Sequence, residues 1–588
     1  MTVSPCAGAF GSLPDTGVKA MPPALAYLTN RWAAASAATT WRDALRVALV
    51  AGFHMAAFVI MLATEFAPEQ KGAFILTWGL LNFFWLMLLR RPGIAGSLSL
   101  AMVVALIQVS EFKYGVIWTT ANFVDLMIID PDTITFLLTI FPRLMPMVLI
   151  AVAVSVPALV IIWSFDPFRV RRLGAAAGML GCLAGLYAIE TVAPMEEFEG
   201  FYGKNYVSHF ARSGVEAIST LVVHGLMESD PVASERLAPI GVCEPTAKPP
   251  HIILVHDESS FDIREVPGIR VPQNYGAHFR SLDGKQRQFI AEGTGGPSWY
   301  TEYNVLAGLS ARSYGRFAYF VTRIAAGRVE RGLPQALRRC GYETYSLYPA
   351  HGAFMSAGRF QKTTGIQHFM DAKAIGSTQL EPDRYYYDAA ARIIEQERGK
   401  NPAFVYVYLA ANHFPWDHRW RPELTPEWKG LGNEPIVDEY LRRQTMGMRD
   451  YAAFLARLKR DFPNESFLVV RYGDHQPDFS SRLLEPGIDD ATIAKRIAVH
   501  DPRYFTTYYA IDAVNFKPAA IAAALKTIEG PYLPLVVLEN AGLPLDSSFE
   551  EQKRIMQRCN GLFFNCDGGA EARRFNRMLI DAGMIKGL

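Results

Sequence analysis

The hydrophobic and polar positions divide the chain into two textures. Up to about residue 194, long apolar runs are interrupted only by short charged stretches. These runs predict five membrane-crossing helices, near 44–64, 72–89, 92–110, 144–164 and 173–193. Each is roughly 18–21 residues, enough to cross a hydrocarbon core of about 30 Å. The second, with ILTWGLLNFFWLMLL, and the fourth, with MPMVLIAVAVSVPALVIIW, hold no charged residue within those runs. Between the third and fourth, residues 111–143 contain the shorter apolar runs VDLMII and ITFLLTI. They are too short to cross a bilayer; the expectation is a segment in the membrane interface, a re-entrant element, or packing on the bundle.

From about residue 249 the pattern changes period. HIILV (251–255), TYSLY (344–348), AFVYVYLA (403–410) and FLVV (467–470) predict strands. RYYYDAAARIIEQER (384–398) and TMGMRDYAAFLARLKRDF (445–462) space their apolar residues as helices do. Strands alternating with helices predict an α/β domain. The expected organisation is a cytoplasmic segment over 1–43, the five-helix membrane domain over 44–194, linker helices over 195–248, a catalytic domain over 249–545 and a tail over 546–588.

Charge sets the orientation. Lys19, Arg31, Arg42 and Arg46 precede the first helix, Arg90 and Arg91 follow the second, and Arg169, Arg171 and Arg172 follow the fourth. The alternate loops carry Glu65 and Glu69, or Asp125, Asp130 and Asp132, and APMEEFEGF follows the fifth helix. Basic loops stay in the cytoplasm, so the N-terminus is expected inside and everything beyond about residue 194 outside. The first helix is expected to act as the targeting signal. A net charge of +1 over 588 residues offers no field for nucleic acid, which is excluded as a partner. Of six cysteines, Cys6 falls in the cytoplasmic segment and Cys182 in a membrane helix; Cys559 and Cys566 are expected to form a local disulfide in an oxidising compartment, and Cys243 and Cys340 are open to a second.

The predicted strands share a chemical feature. HIILV leads to His256, Asp257 and Glu258; TYSLY leads towards His351; AFVYVYLA leads to Asn412 and His413; FLVV leads through RYG to Asp474 and His475. Open α/β sheets bind ligands beyond the carboxyl ends of their strands. A carboxylate beside an imidazole at a buried strand end calls for something to satisfy both, and a metal ion does so. The reacting group is sought in GTGGPSWYTEYNVLAGLS (293–310), where glycines and a proline lead to Ser298 at the start of a helical run. A hydroxyl there is an N-cap or a metal-activated nucleophile beside phosphate-binding amides. Thr301 is the rival. No G-x-S-x-G elbow supports a lipase-like triad.

These residues resemble the sulfatase-like branch of the alkaline phosphatase superfamily, specifically membrane phosphoglycerol transferases such as lipoteichoic acid synthase and the transferase that decorates periplasmic glucans. Membrane phosphoethanolamine transferases are close relatives. HIILVHDESSF resembles the family's first strand and its metal-binding glutamate, here Glu258. GGPSWYTEY resembles the nucleophile segment, with Ser298 where a threonine usually stands. RYGDHQ resembles the GDH motif, giving Asp474 and His475 as metal ligands. AANHFPW resembles an element whose histidine binds substrate, here His413, and HGAFMSAGRF one that supplies a substrate-binding arginine, here Arg359. The sulfatase C-x-P-S-R motif is absent, which disfavours a sulfate ester.

The resemblance implies a central mixed sheet and one divalent ion, manganese, magnesium or zinc, held by Glu258, Asp474, His475 and Ser298. It implies transfer of phosphoglycerol from a phospholipid to an envelope glycan or lipid through a phospho-Ser298 intermediate, at a bacterial inner membrane with the catalytic domain in the periplasm. Phosphatidylglycerol and phosphatidylethanolamine are the expected donors. The alternatives are phosphoethanolamine transfer to lipid A or another glycan, a phosphodiesterase or sulfatase-like hydrolase, and a binding protein without catalysis. Asp257 is expected in a secondary role. His256, His351, His418 and His500 are expected at the rim in structural or solvated roles.

Overall fold

The structure, a computed structural model, describes residues 41–117, 119–196, 199–232, 235–245 and 247–588. Lys19, Arg31 and Cys6 of the expected cytoplasmic segment lie outside the described residues. The chain forms two compact units, one of Met1–Gln108 with Ala153–Gly185 and one of Val109–Val152 with Leu186–Leu588.

Five helices are long and apolar enough to cross a membrane: Asp43–Thr64, Pro68–Leu89, Pro92–Ile117, Leu144–Phe165 and Arg172–Val192. Leu144–Phe165 buries none of its side chains against protein and exposes Val148, Leu149, Ile150, Val154, Val160 and Ile161. Only a lipid-like surrounding covers such a surface favourably. In the first unit the expected basic loops meet at one end. The Val170 N–H donates to the Arg90 carbonyl at 2.9 Å, and Arg91 donates to the Asp166 carbonyl at 2.9 Å while stacking over Trp163. Asp166 Oδ2 accepts from the amide of Gly93 at 2.6 Å, closing the N-terminus of the next helix.

The second unit is built on an eight-stranded sheet in the order β4-β3-β5-β1-β6-β7-β2-β8. The strands are β1 (His251–Asp257), β2 (Arg287–Ile290), β3 (Glu343–Leu347), β4 (His368–Met370), β5 (Ala403–Tyr408), β6 (Phe467–Gly473), β7 (Thr506–Val514) and β8 (Thr527–Glu529). All run parallel to one another except β7, which is antiparallel to both its neighbours, so the sheet is mixed. The four strands that sequence predicts, β3, β5, β1 and β6, are adjacent and parallel, so their carboxyl ends share one edge.

Alternation along these strands supplies two cores. Ile252, Leu254, Tyr406, Leu468 and Val470 face one layer, which includes the helix Ser298–Ala307. Ile253, Val255, Val405, Val407 and Val469 face the other, against the helices Asp383–Glu397 and Pro435–Asp461. Residues 546–588 are built into the first layer instead of trailing from the domain. Their helices Ser547–Arg558 and Ala570–Asp581 bury Phe549, Ile555, Phe575 and Leu579 there, and Cys559 and Cys566 are joined beside them. Cys243 and Cys340 form a second disulfide, which fixes the irregular stretch before β1. Among the described residues of the expected linker, only one α-helix forms, Tyr206–His224.

The two short apolar runs fold as the helices Phe123–Met127 and Pro131–Ile140. Asn122 caps the first and Asp130 the second, with Pro131 at its first position. The ten residues of the second extend about 15 Å, half of a bilayer core. It exposes Ile134, Leu138 and Ile140 and sets Phe136 5.3 Å from Phe354 of the same unit.

Candidate active site

β1 and β6 are neighbours in a register that pairs Asp257 with Gly473, so Glu258 and Asp474 leave the sheet side by side. Gly473 is required there. A Cβ on it would stand 1.7 Å from the Ser260 carbonyl oxygen, backbone that cannot yield. The Ser259 backbone lies in the left-handed region at φ 50°, held by two bonds. Its N–H donates to Asp474 Oδ1 at 2.7 Å and its hydroxyl to Glu258 Oε1 at 2.9 Å. Local strain of this kind persists where its surroundings over-determine it. Asp474 Oδ1 also accepts from the His475 N–H at 2.8 Å.

Ser298 opens its helix after Gly295 and Gly296, and its side chain is buried among these groups. Its Oγ lies 3.4 Å from Glu258 Oε2 and 3.2 Å from His475 Nε2. His475 Nδ1 is 2.8 Å from the Gln476 carbonyl oxygen, which can only accept, so Nδ1 carries the hydrogen and Nε2 offers a lone pair to the cluster. Thr301 is fully buried and already spent: its hydroxyl donates to the Asp474 carbonyl at 2.7 Å. Of the two hydroxyls, Ser298 is the one at the cluster.

Electrostatics describe a site short of positive charge. Burial, with Asp474 alongside, pushes the Glu258 carboxyl up to about 8. Burial also pushes Asp474 upward, but His475 and His256 outweigh it and hold Asp474 down to about 2. Two facing carboxyl groups thus hold one proton between them near neutral pH. Asp474 Oδ2 and His256 Nε2 are buried 3.1 Å apart, and neither makes a hydrogen bond among the described residues. One ligand atom from each of His256, Glu258 and Asp474 lies within 4.8 Å of the others. His475 Nε2 adds contacts of 3.6 Å to Glu258 and 3.3 Å to Asp474. An orphaned carboxylate oxygen facing imidazole and carboxylate donors fits a divalent cation.

The remaining expected residues divide. His413 follows β5 at the same edge, close enough to feel the Asp474 charge, but burial lowers its pKa and its Nδ1 bonds the Phe414 carbonyl. It forms no hydrogen bond with the cluster side chains. Arg359 is engaged elsewhere: it donates to Asp130 at 2.5 Å and lies 3.2 Å from Asp132, on the segment before and within Pro131–Ile140. It lines an open cavity of about 750 Å³ that includes no cluster residue. Asp257 points to the opposite face, where it accepts from the Tyr508 hydroxyl at 2.5 Å and lies 3.5 Å from His278. His351 accepts from the Ala353 amide, His418 pairs with Asp417 at the surface, and His500 stacks on Phe505. His256 departs from the rim role expected of it. It is buried directly beneath Asp474, and alternation along β1 is the signal, since positions 256 and 258 face the same side.

Residues 294–515 match the Sulfatase family model. That stretch includes Ser298, His413, Asp474 and His475 and begins beyond Glu258. No curated protein matches the chain. Among solved structures, the lipoteichoic acid synthase LtaP from Listeria monocytogenes is 16% identical, with 51% of this chain and 73% of that one covered at a TM-score of 0.37. The Streptococcus pyogenes phosphoglycerol transferase GacH, in complex with sn-glycerol-1-phosphate, is 15% identical, with coverages of 58% and 88% at a TM-score of 0.45. The lipooligosaccharide phosphoethanolamine transferase EptA from Neisseria meningitidis is 12% identical, with coverages of 80% and 95% at a TM-score of 0.39. The second unit therefore contains a stretch that matches the Sulfatase family model, preceded in the chain by five helices of membrane-crossing length and apolarity.

Proposed function

We propose that this chain is a metal-dependent membrane transferase that moves the phosphoglycerol headgroup of a phospholipid to an envelope glycan or lipid acceptor. The observation that carries the reading is the Ser298 hydroxyl, poised between Glu258 and His475 beside the orphaned oxygen of Asp474. Glu258, Asp474, His475 and the Ser298 oxygen would hold one divalent ion, with manganese, magnesium and zinc all compatible with oxygen and imidazole donors. When bound, such an ion lowers the pKa of a hydroxyl and offsets charge on phosphoryl oxygens.

Ser298 Oγ attacks the lipid phosphorus; the Oγ–P bond forms, the P–O bond to diacylglycerol breaks, and the leaving oxygen takes a proton. With His475 Nε2 given to the ion, Glu258 is the remaining group within reach of the serine proton. An acceptor hydroxyl then attacks the phospho-serine, and Ser298 regains its proton. His413 is assigned to the headgroup from the shared sheet edge. Arg359 can serve there only by leaving Asp130 and Asp132. The basic loops support a periplasmic catalytic domain.

The test is mass spectrometry of the Ser298 peptide after the full chain is incubated with defined vesicles. A glycerophosphate adduct from phosphatidylglycerol is expected. A phosphoethanolamine adduct from phosphatidylethanolamine would reassign the donor, and no adduct alongside free headgroup release would favour a hydrolase.

A further inference from the structure

We infer that His256 is a positioning residue of the ion site, donating its Nε2–H to Asp474 Oδ2 under the control of two tyrosine hydroxyls; this rests on Asp474 being an ion ligand. The register of the sheet builds the arrangement. His256 pairs with Tyr472 on β6 and Tyr408 on β5, and Tyr406 lies diagonally on the same face. The imidazole stacks on Tyr408 at 3.7 Å. Its Nδ1 is 2.9 Å from the Tyr406 hydroxyl and 2.8 Å from that of Tyr472, and the two hydroxyls are 3.0 Å apart.

Counting protons selects one tautomer. Suppose Nδ1 accepts. One tyrosine hydroxyl then donates to Nδ1, the second donates to the first, and Nε2–H is left facing Asp474 Oδ2 at 3.1 Å. Both tyrosine hydrogens then have acceptors, and Nε2–H faces a carboxylate oxygen. Suppose instead that Nδ1 carries the hydrogen and donates to one hydroxyl. That hydroxyl donates to the other, whose own hydrogen has no assigned acceptor among the polar contacts of either tyrosine. Buried donors without partners are rare because each costs about 1–3 kcal/mol. The first arrangement is favoured, and it makes Nε2 a donor that cannot also ligate an ion.

Asp474 is then held from both ends. Oδ1 accepts two backbone amides, from Ser259 and His475. Oδ2 keeps one lone pair for an ion and gives the other to His256. Groups behind ligating side chains fix ligand orientation, and their loss typically weakens metal affinity by about 10–100-fold.

The experiment uses the full chain in detergent, with manganese as the probe. Titration of wild type first establishes whether the site loads at all; no loading there would remove the ion site and with it this inference. His256→Leu is expected to bind manganese about 10–100-fold more weakly. His256→Gln is expected to stay within about threefold of wild type, because a glutamine amide nitrogen stands the same number of bonds from Cα as Nε2 and restores the donor. Electron spin-echo modulation from histidine nitrogen should report one coordinated imidazole in wild type and in His256→Gln, and none in His475→Gln. Wild-type affinity in His256→Leu would overturn the inference. So would a second coordinated imidazole that disappears in His256→Gln, which would make His256 a ligand. If His256→Leu does not fold, the imidazole count in wild type and His256→Gln decides alone.

Discussion

Replacing Asp474 with asparagine probes the site with little change of shape. Oδ1 of Asp474 accepts from the Ser259 amide at 2.7 Å and the His475 amide at 2.8 Å, while Oδ2 faces the cluster. An asparagine satisfies both amides only with its oxygen towards them, which turns its NH₂ group to the ion position. An amide nitrogen offers no lone pair to a cation. Turning the side chain over would set NH₂ against two buried N–H donors, at about 1–3 kcal/mol for each donor left unpaired. With about 1.4 kcal/mol per tenfold in affinity, the turned-over side chain that an ion would require weakens binding by at least about 30-fold. The metal-free variant keeps both backbone bonds but sets its NH₂ against the buried His256 Nε2–H, 3.1 Å from Oδ2 in the wild type, so it is expected to melt below metal-free wild type by a loss of about 1–3 kcal/mol. Calorimetric titration of manganese or zinc into the detergent-purified chain, with elemental analysis and a thermal melt, reads both quantities. Undiminished affinity and full occupancy in Asp474→Asn would refute the assignment of Asp474 as a ligand.

Ser298→Ala is expected to abolish the phospho-serine adduct while the ion still binds, and Ser298→Thr to retain adduct formation; an adduct trapped in Ser298→Ala would move the nucleophile. Thr301→Ala loses a buried bond to the Asp474 carbonyl, so denaturant unfolding should show a loss of about 1–2 kcal/mol with adduct formation preserved. Glu258 is held at about 8 against an ordinary carboxyl value of 4.5, so the folded, metal-free chain binds this proton more tightly than the unfolded one. Its contribution to stability is full below about pH 4.5 and is lost as pH rises through about 8, so metal-free melting temperatures should fall across that window. Ion binding at pH 7 should release close to one proton, seen as a dependence of binding enthalpy on buffer ionisation; no proton release would contradict a ligand role for Glu258. A reporter active only in the cytoplasm, fused after Leu588, is expected to be silent, and strong activity would reverse the topology.

Much of this is legible in the chain because the signals are local. Helices of membrane length announce themselves by composition, and the four central strands by β-rich runs ending in ionisable groups. The outer strands are not legible. β2, β4 and β8 have only four, three and three residues and hold their place through neighbouring strands more than through their own propensity. Residues 546–588 look like a tail because their helices have apolar faces that reveal no destination; only packing shows Phe549 and Phe575 inside the core. The motif around Arg359 points to substrate, whereas its guanidinium is held by Asp130 and Asp132 more than two hundred positions away in the chain. No local pattern encodes such a pairing.

His256 shows where a spatial rule can replace a statistical one. A lone histidine is usually unremarkable, but HDE at a strand end is a statement about faces. Period two sends His256 and Glu258 one way and Asp257 the other, and the β1–β6 register then decides which carboxylates meet. With Asp257 opposite Gly473, Glu258 emerges beside Asp474 and His256 lies beneath it. A slip of one residue would bring Asp257 to the cluster and carry both its neighbours to the far face, although every ligand would still be present in the sequence. The same register puts Tyr472 opposite His256 and Gly473 against Ser260, so the packing that fixes the strands also fixes the chemistry. Inserting a single alanine between Val255 and His256 should therefore cost the chain its ion site more completely than removal of any one ligand. Residual loading of that variant at wild-type affinity would show that the site is not set by the strand pair.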